Sequence, residues 1–206
     1  MKTWKLAVLV GGLGLSVAAH ATFYTSEATF LAAIDSTYYL EDFNSYTLGN
    51  PLDGSQLSIS APGGNGYGWD ASALDGLFSI DGGLSIGTGD ESLDFTFTGA
   101  PVTAFGGMML NTDFLGVSQG GTVTLTMSNG DTMTVADGTF LGWVGTTAVA
   151  GASIIAQDTP DTSVGINWVA TDHLYTGSKA GVVPEPASFA ALALGGLVLL
   201  RRRKQS

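Results

Sequence analysis

The stretch TVTLTMSNGDTMTV, residues 122–135, sets the tightest limit on the fold. Val123, Leu125 and Met127 alternate with threonines, giving one apolar face and one hydroxyl face, the period of two that a half-buried strand presents. Asn129-Gly130 then predicts a tight hairpin turn with both residues at positive φ, before Met133 and Val135 return on the apolar side. SLDFTFTG repeats the alternation with Leu93, Phe95 and Phe97, and SVGINWVATDHLYTG with Val164, Ile166 and Trp168. LFSIDGGLSIG reads as two short strands across Asp81-Gly82-Gly83, and TAFGGMML, TFLGWV and ASIIA supply shorter strands. Of the 30 glycines, five (11, 12, 14, 195 and 196) lie near the chain ends, and the other 25 punctuate these runs.

One body segment reads as helix. In TSEATFLAAIDS, Ser26 caps the first turn, Glu27 suits the helix N-terminus, and Phe30, Leu31 and Ile34 share a face. Strands at roughly 8–12-residue spacing with turn signals between them predict an all-β chain, a single antiparallel β-sandwich of jelly-roll type. No fixed-period repeat is visible, which argues against a propeller or solenoid.

The two ends differ from this body. MKTWKLAVLVGGLGLSVAAHA places Lys2 and Lys5 before an apolar run, Leu6 to Ala18, and closes on Ala19-His20-Ala21. That is the pattern of a secretory signal peptide over residues 1–21, with small residues where signal peptidase leaves little room for side chains. At the other end, Pro184-Glu185-Pro186 precedes 14 uncharged residues, Ala187 to Leu200, and the basic cluster Arg201-Arg202-Arg203-Lys204. As a helix, 14 residues span about 21 Å against a hydrocarbon core of about 30 Å, short for a permanent anchor. The segment can insert with mismatch, so it suits a transient stay in the inner membrane as a short transmembrane helix. The expected division is signal peptide 1–21, β-sandwich domain 22–181, and sorting tail 182–206.

Charge follows the same division. Seven bases and 18 acids give the chain a net charge of −11. Six of the bases are Lys2, Lys5 and residues 201–204, and one acid is Glu185, so residues 22–183 hold 17 acids against Lys179 alone, a net of −16. Basic clusters flanking both apolar segments place the acidic body across the membrane from them. A body with one cation cannot bind nucleic acid by neutralising phosphates. The chain has no cysteine, which removes disulfides, thiolate metal sites and a thiol nucleophile. Once His20 leaves with the signal peptide, His173 is the remaining histidine.

The three-part tail resembles the PEP-CTERM sorting signal of exported Gram-negative bacterial proteins. The resemblance implies that Pro184, Glu185, Pro186 and the cluster Arg201, Arg202, Arg203 are read during export by an exosortase, a membrane transpeptidase. It implies delivery to the cell surface or extracellular matrix, in hosts whose genomes carry exopolysaccharide clusters. An ordinary C-terminal membrane anchor is the competing reading. The body more loosely resembles domains common in such proteins, at ATFLAAI, YYLEDFNSYTLG, NGDTMTV, FLGWVG and VATDHLYTG. That resemblance implies a jelly-roll sandwich and no particular activity.

Candidate chemistry is sparse. APGGNGYGWDASALDG has glycines but neither a following Lys-Ser or Lys-Thr nor a helix pattern, so it is not a phosphate-binding loop. It reads as a surface loop in which Tyr67 and Trp69, with Asp70 beside them, are candidates to stack on and hydrogen-bond a sugar ring. The competing reading packs the tryptophan in the core. Jelly-roll carbohydrate-binding modules often share a structural calcium between an early and a final strand. Resemblance to them suggests Asp42 and Asp172 for that role, and oxygen ligands suit the ion. The alternative is that these acids are solvated, as expected of Asp81, Asp90, Glu91 and Asp94. Asp172 and His173 are neighbours in a strand and so should point to opposite faces, which argues against a catalytic pair. The expectation is a non-catalytic protein that binds exopolysaccharide. A secreted carbohydrate-active enzyme using paired carboxylates is the alternative.

Overall fold

In the computed structural model, residues 21–157 and 167–181 are described. The expected signal helix and the C-terminal hydrophobic helix lie outside them, as do Val164 and Ile166. In chain order the elements are β1 (Thr22–Tyr24), α1 (Glu27–Leu31), β2 (Tyr39–Glu41), β3 (Asp53–Ser60), β4 (Tyr67–Ile80), β5 (Gly83–Ile86) and β6 (Ser92–Gly99). There follow β7 (Val102–Thr112), β8 (Thr122–Met127), β9 (Thr132–Ala136), β10 (Thr139–Val149), β11 (Gly151–Gln157) and β12 (Trp168–Gly177). The described residues are thus nearly all β, as the alternating runs predict.

Every strand pairing is antiparallel, and the sheet runs β1-β10-β7-β12-β5-β4-β6-β11-β8-β9, with β2 on β12 and β3 on β4. Strand β4 joins the two halves. Its first part, Tyr67–Ser72, pairs with β6, and its last, Leu77–Ile80, pairs with β5. A strand that changes partners along its length lets a sheet turn a corner, and here the sheet curls into a near-barrel. One core fills it: Trp69, Leu93, Leu125 and Ile154 from one half meet Phe105, Met109, Trp143 and Leu174 from the other.

The hairpin at 122–135 forms with the expected register, Val123 opposite Val135 and Leu125 opposite Met133. Its turn differs. Gly130 alone has positive φ (91°), Gly130 N–H donates to Met127 O (2.9 Å), and Met127 N–H donates to Asp131 O (2.8 Å). That is the longer hairpin loop closed by a left-handed glycine, which needs one positive-φ residue instead of two. The threonines face each other as expected, with hydroxyls 2.7 Å apart for Thr124 and Thr134.

Helix α1 also forms, but Ser26, although extended at the N-cap position, makes no side-chain cap bond. What holds the helix is Phe30, fully buried in a second small cluster with Ile34, Phe140, Val144 and Tyr175. Phe30 lies directly over Gly142 of β10, where an added Cβ would sit 2.3 Å from the ring. Gly142→Ala should therefore cost about 1–3 kcal/mol through overpacking. At roughly 2–4 °C per kcal/mol for a domain of this size, calorimetry should record a fall of several degrees. An unchanged melting temperature would show that α1 is not docked there.

The ends of the domain converge. Thr22 pairs with Val144, Val144 with Ala104, and Ala104 with Gly177, so the start of β1 and the end of β12 share one cross-strand row. Beyond β12 the chain is fastened to the residues after α1: Asp35 N–H donates to Ser178 O (2.8 Å), and Ala180 N–H donates to Ala33 O (3.0 Å).

Candidate functional site

The proposed sugar-stacking group separates when placed in the fold. Tyr67-Gly68-Trp69-Asp70 is the opening of β4, not a loop, so its side chains alternate. Trp69 points inward with Ala71 and Ala73 and is 1% exposed. Its ring meets Phe95 edge-on at 5.4 Å and Phe43 at 6.1 Å, so no face remains for a sugar. Asp70 points the other way, and Tyr67 is half-buried against the core. Trp69 is therefore a core residue, the competing reading of the sequence. The signal was present in the alternation Trp69, Ala71, Ala73, hidden by the glycines before it.

Asp42 and Asp172 do come near each other in the sheet. Glu41 pairs with Leu174, so Asp42 follows β2 alongside the middle of β12. Each carboxylate already has partners. Asp42 accepts from Asn44 N (3.2 Å) and Nδ2 (2.7 Å), and Asp172 accepts from His173 N (2.6 Å) and bonds its Nδ1 (2.7 Å). Glu41, the nearest further acid in sequence, accepts from the Tyr39 hydroxyl. Among the described residues no three or more His, Asp or Glu side chains are gathered as a metal site.

The same bonds correct the expectation that Asp172 and His173 diverge. Their register against β7 shifts between Asp172 and Tyr175, and His173 has φ 49°. A bulge with one left-handed residue breaks the period of two and returns two consecutive side chains to one side. The His173 side chain is 42% exposed and that of Asp172 24%. A non-glycine residue in this conformation is held against local strain by its surroundings. Two residues on, the Tyr175 hydroxyl donates to Glu27 of α1. Burial first, then that bond, pushes its pKa well up, so it stays protonated. Burial, followed by the bond to Glu41, does the same to Tyr39.

The outer face of the β3-β4-β6-β11-β8-β9 half was not anticipated as a unit. Ser58, Ser72, Asp94, Ser153, Thr126 and Thr132 stand in register, one from each strand, in a single row of small polar groups. The runs of β6, β8 and β9 show an alternating polar side in the sequence, β3 and the loop-like opening of β4 do not, and only the strand order lines the six up. At about 4.8 Å between strands the row is about 24 Å long.

The sorting residues Pro184, Glu185, Pro186, Arg201, Arg202 and Arg203 lie outside the described residues. Among the described residues no helix is long and apolar enough to cross a membrane. Residues 182–204 match the family model of the PEP-CTERM protein-sorting motif. The chain thus carries an exosortase-read signal for export to the cell envelope or surface. No curated protein and no solved structure matches the chain.

Proposed function

We propose that the chain is an exosortase-sorted protein whose jelly-roll-like β-sandwich acts without catalysis at the cell surface or in the extracellular matrix, where it binds exopolysaccharide. Signal peptidase removes residues 1–21, and the segment Ala187 to Leu200 holds the protein transiently in the inner membrane until exosortase acts. The observation that carries this reading is the sorting motif at residues 182–204, which begins five positions after the last residue of β12, Gly177. A net charge of −16 over residues 22–183 and a sheet face of hydroxyls agree with a hydrated, polysaccharide-rich setting.

The second reading is a secreted carbohydrate-active enzyme using paired carboxylates. Both are tested by incubating the full-length protein with exopolysaccharide from an exosortase-bearing host. Co-sedimentation without new reducing ends is expected. Release of reducing ends would establish the enzyme, and protein left in the supernatant would overturn polysaccharide binding.

A further inference from the structure

We infer that the outer face of β6, β8 and β11 carries a binding site for an extended, uncharged polysaccharide, centred on a depression over Gly151; this rests on the polysaccharide reading above. The depression has a volume of about 390 Å³, within the usual range for small-ligand sites, and is open to solvent on that face. Gly151 forms part of its floor. Gly151 lies opposite Thr96, where an added Cβ would sit 2.2 Å from the carbonyl oxygen of Phe95. Close pairing of the two backbones therefore excludes every larger residue at this position.

The surroundings of the gap select the ligand. Its walls are largely carbon, and Asp94, Thr96, Thr126, Ser128 and Ser153 stand around them with a carboxylate and hydroxyls. Carbon surface bordered by hydrogen-bonding groups matches a sugar ring, which presents C–H faces and an equatorial girdle of hydroxyls. Ser92 Oγ donates to Asp94 Oδ2 (3.0 Å) and orients that carboxylate beside the depression. An anionic glycan would meet Asp94 and the field of a body with 17 acids and one base, so the ligand is uncharged. The polar row through Asp94, Ser153 and Thr126 continues on both sides of the depression. Such a path fits the interior of a chain better than its end.

The test uses the full-length protein with a soluble neutral glucan and, separately, a polyuronate, and reads affinity by calorimetry. Binding to the glucan and none to the polyuronate at the same concentration is expected. Ser153→Leu, which fills the depression, and Asp94→Ala should each weaken glucan binding at least tenfold. Thr134→Leu, on the same face but on β9, should leave it unchanged, with melting temperatures of all three near that of the parent. Equal glucan affinity in Ser153→Leu and the parent would overturn this site while leaving polysaccharide binding intact. Equal binding of the polyuronate would overturn the assignment to an uncharged ligand. Failure of the parent to bind glucan, polyuronate or host exopolysaccharide would overturn site and reading together.

Discussion

Replacing Trp69 by alanine is expected to remove about 3–5 kcal/mol of stability, the usual cost of deleting a large aromatic from a core. The ring is 1% exposed and sits in the part of β4 that pairs with β6, against Phe43 and Phe95. Its loss would open a void between β4, β6 and the segment that follows β2. Against a typical total of about 5–15 kcal/mol, that leaves the domain marginal or unfolded at 37 °C. Trp69→Phe should cost less, because it keeps an aromatic ring in place and removes an indole N–H that has no acceptor among the described residues. Trp143 is the contrast, since its Nε1 donates to Asp131 Oδ2 (2.8 Å). Urea unfolding measures both variants. A midpoint for Trp69→Ala within error of the parent would mean that the indole is not in the core.

The second large effect concerns the tail. Glu185→Gln keeps the size of the side chain and leaves the apolar run Ala187 to Leu200 and the arginines untouched. A segment that merely anchors depends on apolar length and flanking charge and would not notice the change. An exosortase that reads Pro184-Glu185-Pro186 loses the carboxylate, so the uncleaved precursor should accumulate while the parent leaves the inner membrane without Arg201 to Lys204. Intact mass of the surface protein decides the matter. Parent protein at the surface of an exosortase-bearing host with Ser206 still attached would sink the sorting mechanism.

How far the sequence discloses this molecule depends on how local the physics is. The strands of the hairpin at 122–135 and the burial of Leu93, Phe95 and Leu125 were legible because alternation is written residue by residue. Trp69 was half legible: its alternation with Ala71 and Ala73 was there, but a run of glycines ahead of it suggested a loop. The Asp172–His173 pair was not legible. It depends on a bulge at a residue with φ 49°, and a bulge is set by the neighbouring strands β7 and β2, not by the local pattern. Nor was the depression over Gly151, since glycine in a strand marks many things and only the approach of Phe95 shows which. The sorting tail needed no fold at all, because the machinery that reads it acts on a linear signal.

The shared row of Thr22, Val144, Ala104 and Gly177 has a mechanical meaning. Whatever the tail is attached to pulls on the end of β12, and β12 is flanked by β7 on one side and by β2 and β5 on the other. Antiparallel hydrogen bonds lie across the strand, so tension along β12 strains many of them at once instead of peeling them one by one. The bonds from residues 33 and 35 to 178 and 180 would yield first, as a short fuse ahead of the sheet. Loaded in this way the ladder of backbone bonds carries the tension in parallel, in a chain that has no cysteine to form a disulfide.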